Sequence, residues 1–165
     1  MSTKIGLDAS QFRLYVVRPA LLLTDLWSRE AEELLLGTAA AESQLRYVRQ
    51  IGGGPALGLF QMEPATHRDC WENYLRYRPE LAARIDRLAL PGMGRLDQLC
   101  GNHLYAAAMA RVKYLRDPHP LPEASDVPAM AKMWKRVYNS SAGAGTVEHF
   151  VAMYRALIQP APTGL

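Results

Sequence analysis

The stretch Thr38–Thr66, TAAAESQLRYVRQIGGGPALGLFQMEPAT, joins an apolar helical pattern to a glycine-rich segment and then to GLFQMEP. The helical part of the stretch carries one carboxylate, Glu42, whose neighbours at helical spacing are Leu35, Thr38, Ala39 and Leu45. A carboxyl group in such surroundings loses hydration, so its pKa rises and it stays protonated nearer neutral pH. A protonated acid in a cleft is suited to glycoside cleavage, because the leaving oxygen must receive a proton.

A structural interpretation of Glu42 is an ion pair with Arg46, four residues further along the same helix. The helical pattern assigns Glu32, Glu33 and Gln44 to other, exposed faces. From helix position alone, both interpretations of Glu42 remain open.

The glycine-rich segment Gly52–Gly58 has three common uses: it cradles a phosphate, forms a plain turn, or lets the backbone approach a ligand closely. The phosphate use is excluded, because GGGPALG lacks the GK[ST] ending and no strand precedes it. Close approach fits better, because the segment leaves the Glu42 helix and must return past it before Pro64 starts another helix. We therefore expect the Gln61 amide to hydrogen-bond a polar ligand such as a sugar.

Length and composition are those of one globular domain covering residues 1–165. The chain is 49% hydrophobic and 21% charged, with a net charge of +3. The charge favours anionic partners without choosing among them. No apolar run reaches the length of a membrane-spanning helix, and no export signal is expected at the N-terminus.

Cysteine and histidine positions predict neither a disulfide framework nor a metal site. Cys70 and Cys100 lack CxxC spacing and are expected to be buried thiols. The four histidines form no HExxH or Cys/His cluster, and no cofactor is expected.

The periodicity predicts an all-α fold. Ser28 is a predicted N-cap, Pro64 and Pro128 are predicted helix starts, and Thr146 is predicted to cap the last helix. The predicted helices cover about residues 10–25 with a bend at Pro19, 28–45, 64–77, 78–90, 95–116, 128–139 and 146–158, followed by a frayed tail at 160–165.

Four ordered blocks resemble the soluble lytic transglycosylases, which belong with the goose-type lysozymes. The blocks are AES (41–43), ALGLFQMEPAT (56–66), GNHLYAAAMARVKYL (101–115) and WKRVYNSSAGAG (134–145), and the resemblance covers about residues 28–158. It implies a lysozyme-like α-helical fold with a cleft between helix groups. It also implies cleavage of the β-1,4 bond between N-acetylmuramic acid and N-acetylglucosamine in peptidoglycan glycan strands.

The resemblance also implies roles for individual residues. Glu42 would be the general acid and then the base, giving a 1,6-anhydro product. Tyr138 would hold Glu42 or the substrate acetamide through its hydroxyl, and Gln61, Ser43 and Asn139 would contact substrate. Structural alternatives are a helix-end hydroxyl for Ser43, a core aromatic for Tyr138, a helix C-cap for Asn139 and a non-ligand role for Asn102.

The chain departs from the family pattern at several positions. The family often has a Ser about nine residues after the Glu, and here that place is near Ile51. Val137 replaces the Ala that usually precedes Tyr-Asn, and the Gly that follows in the family pattern is displaced to Gly143. Glu63 stands where transglycosylases usually have an apolar residue and goose-type lysozymes have an acid. Glu63 could therefore hold a water for inverting hydrolysis, or it could be a surface residue before the Pro64 helix.

The blocks look most like the short phage-encoded branch of the family. This implies a protein in the phage virion or the host cytoplasm before release, acting in the bacterial periplasm. The alternative to an enzyme is a non-catalytic virion component that contacts other virion proteins. Nucleic acid is not expected as a partner, because no basic stripe with interleaved aromatics is visible.

Overall fold

A computed structural model describes residues 5–139 and 143–159 of the protein. Helices dominate this part of the chain, where β-type pairing is limited to two isolated bridges, Arg49–Leu57 and Leu57–Met62. The prediction of an all-α fold is confirmed. The predicted tail at 160–165 and residues 140–142, between the predicted helices 128–139 and 146–158, lie outside the described residues.

Most predicted helices are present, but several are shorter or interrupted. The first is interrupted by a π-helical turn just before Pro19, and the helix that starts at Pro64 ends four residues early. The α-helical segments are α1 (Ala9–Phe12), α2 (Arg18–Leu23), α3 (Arg29–Ser43), α4 (Pro64–Asn73), α5 (Pro79–Asp86), α6 (Arg95–Gly101), α7 (His103–Leu115), α8 (Val127–Met133) and α9 (Val147–Met153). Arg13–Val17, Trp134–Asn139 and Tyr154–Ile158 are π-helical turns, and Leu75–Tyr77 is a 3₁₀ turn.

Helix α3 is the central element of the core. Its predicted cap is confirmed, because the Ser28 hydroxyl accepts a hydrogen bond from the Ala31 backbone N–H. Of its 15 residues, 12 are buried, so it is enclosed by other helices rather than lying on the surface. Gly37 allows the closest approach, since a Cβ there would come within 2.3 Å of the Phe150 ring on α9. Helix α3 ends at Ser43 because Gln44 adopts the left-handed conformation.

The prediction that Glu32 and Glu33 lie on exposed faces is wrong. Their exposed fractions are 2% and 8%, and both meet arginines of the N-terminal helices. Glu32 receives two hydrogen bonds of 2.8 Å from Arg18 and one of 2.8 Å from the Trp27 indole. Glu33 pairs with Arg13 and accepts a hydrogen bond of 2.7 Å from the Tyr154 hydroxyl. These partners replace the lost hydration, which is why two acidic residues can be buried side by side.

The predicted long helix 95–116 is instead two helices that meet at Asn102. Asn102 has an extended backbone, and its side-chain oxygen caps α7 by accepting from the Tyr105 N–H at 3.2 Å. Its amide donates to the Leu88 carbonyl at 2.7 Å and to Gln98 at 2.8 Å. A side chain that satisfies the backbone in this way competes with helix continuation. Asn102 therefore has a structural role at this junction, as the sequence favoured.

The remaining helices begin where the sequence predicted. Pro64 and Pro128 lie in the first turns of α4 and α8, and the Thr146 hydroxyl caps α9. Cys70 and Cys100 are both free thiols; Cys70 is buried as expected, whereas Cys100 is half-buried. None of the described helices combines the length and apolar character needed to cross a bilayer.

The buried acidic pair predicts a pH-dependent contribution to stability. Burial disfavours the charge of Glu32, but hydrogen bonds from Arg18, Trp27 and Arg13 outweigh it and lower its pKa to about 2. We expect Glu32→Gln to lower the free energy of unfolding by about 2–4 kcal/mol near neutral pH. Because the folded pKa lies below the usual 4.5, this difference shrinks as the pH falls from about 4.5 towards 2.

Urea unfolding at several pH values tests this expectation. Glu72→Gln is the matched control, because Glu72 is exposed and forms no ion pair with a described residue. A Glu32→Gln protein as stable as the Glu72→Gln protein at neutral pH would contradict the account of the buried pair.

Candidate functional site

Glu42 lies in the last turn of α3, where its carboxyl group is largely withdrawn from water. Its Oε1 accepts a hydrogen bond of 3.0 Å from the Trp134 indole, and no described residue hydrogen-bonds to its Oε2. Burial raises the pKa of Glu42 to about 7, although the Trp134 hydrogen bond and the charge of Lys113 act in the opposite direction. The group is therefore close to half-protonated at neutral pH, as the sequence predicted.

The alternative ion pair between Glu42 and Arg46 does not form. Gln44 and Leu45 have φ values of 54° and 57°, so the chain leaves the helix before Arg46 could reach the i+4 position. The Arg46 guanidinium instead lies over the Tyr47 ring, 5.2 Å from its centroid. The turn after Ser43 thus keeps the nearest arginine in the sequence away from the carboxyl group.

Trp134 is held against Glu42 by the segment that follows α8. The π-helical turn Trp134–Asn139 carries Trp134, Tyr138 and Asn139, and π-helical turns are often found at functional sites. The indole is enclosed, with its ring centroid 5.5 Å from that of Phe150. Gly145 packs so closely that a Cβ there would be 2.4 Å from Trp134 Cη2. The donor to Glu42 is therefore fixed in place.

The glycine-rich segment contributes Ala56 to the same groove as Glu42 and approaches α6 closely at Gly58. Gly58 has a φ of +78°, and a Cβ there would lie 1.9 Å from the Leu99 carbonyl oxygen, so only glycine fits. Gln61 follows with a φ of 47°, and its side-chain nitrogen donates to the Gly58 carbonyl at 2.9 Å. This bond fixes the Gln61 amide, and no described residue donates a hydrogen bond to its side-chain oxygen.

Tyr138 lies in the groove wall, and its hydroxyl is not hydrogen-bonded to Glu42. Its hydroxyl donates to the Phe60 carbonyl at 2.8 Å and not to Glu42, so the predicted hydrogen bond to Glu42 is absent, while the predicted contact with a substrate acetamide stays a prediction. Its ring stacks on Tyr114 with centroids 5.4 Å apart. Because Phe60 directly precedes Gln61, Tyr138 joins the segment after α8 to the segment that carries Gln61. These two contacts hold the groove walls together.

The other predicted residues fall into two groups. Ser43 is buried, donates to the Ala39 carbonyl at 3.1 Å and does not line the groove, which agrees with the helix-end interpretation and gives its predicted substrate contact no support. Asn139 lines the groove, where its side-chain oxygen accepts from Lys135 at 3.0 Å. Glu63 is exposed and also lines the groove, at the start of α4.

Together these segments enclose a mostly polar groove of about 560 Å³. Among the predicted site residues, Glu42, Gln61, Glu63, Tyr138 and Asn139 contribute to it. The remaining lining residues are Tyr47, Gln50, Ile51, Ala56, Thr66, Lys113, Gly143 and Ala144. In the described part of the chain, no group of three or more His, Cys, Asp or Glu side chains could hold a metal ion.

Two charged or polar groups of the site were missed by the sequence interpretation. Trp134 stood in a quoted block without a role, and its indole N–H is the donor to Glu42. Lys113 lies half-buried on the Ala-rich helix α7, and its ammonium raises the local positive charge near Glu42. The sequence could have indicated Lys113 by the same pattern that indicated Glu42, because both are ionisable residues within an apolar helical run.

Comparison of the chain with protein-family models, with curated proteins and with solved structures finds no match in any of the three.

The raised pKa of Glu42 predicts that Glu42→Gln stabilises the folded protein at alkaline pH. Since the folded pKa of about 7 exceeds the usual 4.5, the wild-type protein loses stability as the pH rises between these values. We expect the variant to be more stable by up to about 3 kcal/mol above pH ~8 and equal to wild type near pH ~4. Urea unfolding across this range measures the difference.

The exposed-site variant Glu72→Gln serves again as the control and should show no pH-dependent gain. A difference between Glu42→Gln and wild type that stays constant across the range would mean that Glu42 is not desolvated.

Proposed function

We propose that the protein is a peptidoglycan-degrading muramidase that cleaves the β-1,4 bond between N-acetylmuramic acid and N-acetylglucosamine as a lytic transglycosylase. One observation carries the proposal: a desolvated carboxyl group, Glu42, with a pKa of about 7, lines a polar groove. An acid with this pKa can donate a proton at neutral pH and accept one once it is ionised.

In the first step Glu42 protonates the glycosidic oxygen as the bond to the anomeric carbon breaks. Because Oε1 accepts the Trp134 hydrogen bond, Oε2 is the oxygen that carries the transferred proton. The Glu42 carboxylate then stabilises the positive charge that develops on the sugar. The neighbouring N-acetyl group of the substrate can assist, so a second protein carboxylate is not required.

In the second step the Glu42 carboxylate takes the proton of the muramyl 6-hydroxyl, whose oxygen attacks the anomeric carbon. The product carries a 1,6-anhydro ring, and Glu42 is protonated again for the next cycle. Gln61 and Asn139 are suited to bind sugar hydroxyl or acetamido groups, because both line the groove with polar side chains. Tyr138 acts indirectly by holding the backbone beside Gln61.

The resemblance to soluble lytic transglycosylases and goose-type lysozymes supports the same proposal. The proposal also includes a lysozyme-like arrangement of the helices. It further includes an origin in the short phage-encoded branch and action in the bacterial periplasm. The proposed binding partner is the glycan strand; other virion proteins are additional partners only if the protein travels in the particle.

Hydrolysis is the second candidate, and the observation that favours it is the position of Glu63 on the same groove as Glu42. In an inverting lysozyme a second carboxylate activates water on the opposite face of the sugar. The two reactions give different ends: transglycosylation leaves anhydro-muramyl ends, whereas hydrolysis leaves reducing ends that are one water heavier.

Digestion of purified Gram-negative sacculi tests the proposal. We expect the wild-type protein to release soluble muropeptides with anhydro ends. We expect Glu42→Gln to reduce the release at least about 100-fold, because it removes general acid and base catalysis without changing the shape of the side chain. Mass spectrometry of the fragments identifies the ends, and circular dichroism checks that the variant is folded.

Glu72→Gln should release fragments at the wild-type rate. If the wild-type protein releases fragments with reducing ends and Glu63→Gln does not, the reaction is hydrolysis rather than transglycosylation. Sacculi that bind the wild-type protein without any release of fragments would instead favour the non-catalytic virion component.

A further inference from the structure

Lys113 occupies a junction between the main groove and a second depression. The second depression has a volume of about 340 Å³ and shares Thr66 and Lys113 with the groove. Its other lining residues are Asp69, Arg116, Asp117 and Val137. A ligand that lies in the groove and carries a side branch can therefore direct that branch past Lys113.

The Lys113 ammonium has few partners for a half-buried charge. It donates to the Tyr138 backbone carbonyl and lies 4.1 Å from the centroid of the Tyr138 ring. Among the described residues it makes no ion pair within 4 Å, and the charges of Glu42 and Glu63 act on it only from a greater distance. An ammonium has three donors, so this arrangement leaves donor capacity unused.

The carboxylates of the second depression are already paired with guanidinium groups. Asp69 pairs with Arg116, and Asp117 accepts from Arg136 at 3.2 Å. Lys113 is therefore the cation at this junction, among the described residues, that has no directly bonded carboxylate. Burial disfavours its charge, so retaining the charge there costs free energy unless an anion binds.

We propose that Lys113 binds a carboxylate of the peptide stem carried by the glycan strand, where the stem leaves the groove for the second depression. This inference rests on the proposed function, because it takes the ligand of the groove to be a peptidoglycan strand. The peptide stem is the branch of that strand, and its carboxylates are anions that a half-buried ammonium can bind as a charge-assisted hydrogen bond.

Binding of soluble strands to the Glu42→Gln protein tests the inference, since this background leaves the strands intact. Three strand preparations are compared: native strands with peptide stems, strands whose carboxylates are neutralised by carbodiimide coupling to methylamine, and strands whose stems are removed by an amidase. The last preparation carries only the lactyl carboxylate, which the amidase frees by hydrolysing the amide that joined the stem. Dissociation constants are measured by calorimetry for each preparation, with and without Lys113→Met.

We expect Lys113→Met to weaken binding of native strands about tenfold and to leave the other two preparations unchanged. Lys113→Gln, which retains a polar side chain, should give the same pattern if the methionine variant does not fold. Lys132→Met is the matched control, because Lys132 is exposed on α8 and does not line either cavity. It should change none of the three constants.

A Lys113→Met effect that is equal on all three preparations would overturn the inference and reduce Lys113 to an electrostatic influence on the site. An effect on both native and stem-free strands would mean that Lys113 binds any carboxylate near the groove, including the lactyl group freed by the amidase, and would overturn the assignment to the stem. Failure of the proposed function would give a different result. Lys113 would still contribute to binding, but the wild-type protein would release no fragments. Absence of binding to every preparation would contradict both.

Discussion

The hydrogen bond from the Trp134 indole to the buried carboxyl group of Glu42 is the interaction on which the site depends. A neutral donor can satisfy one carboxyl oxygen without supplying the positive charge that would keep the group ionised. Burial therefore dominates, and the pKa of Glu42 rises to about 7. The elements around the groove maintain this arrangement. The turn after Ser43 keeps Arg46 away from the Glu42 carboxyl group, and Gly145 and Phe150 pack against the indole.

Helix α3 buries acidic residues in two contrasting ways. Near its N-terminus, Glu32 and Glu33 are paired with arginines, and the pKa of Glu32 falls to about 2. Near its C-terminus, Glu42 has an indole partner instead, and its pKa rises. The same helix thus contains two arginine-paired acidic residues that bind the N-terminal helices to the core and a protonatable group that faces a groove. The partner, rather than burial alone, decides which behaviour a buried carboxyl group adopts.

The sequence was sufficient to predict the helical fold and the groove residues that lie in or next to α3 and the glycine-rich segment. Glu42, Gln61 and the caps at Ser28 and Thr146 depend on spacing within about twenty residues, which periodicity and motif spacing describe well. The burial of Glu32 was not predictable in this way, because its partner Arg18 belongs to another helix. The hydroxyl of Tyr138 and the indole of Trp134 likewise depend on how α8 packs against distant segments. The resemblance to lytic transglycosylases remains a prediction that supports the proposed function.

Direct titration of Glu42 tests the central claim most simply. The side-chain carboxyl carbons of the protein, labelled with ¹³C-glutamate, are followed by NMR across the pH range, and the Glu42→Gln protein identifies the resonance that belongs to Glu42. The account predicts that this resonance titrates with a midpoint near 7, as expected for a desolvated carboxyl group beside Trp134. A midpoint for Glu42 at or below its usual value of 4.5 would contradict it, because such a group would be charged at neutral pH and could not donate a proton to a glycosidic oxygen.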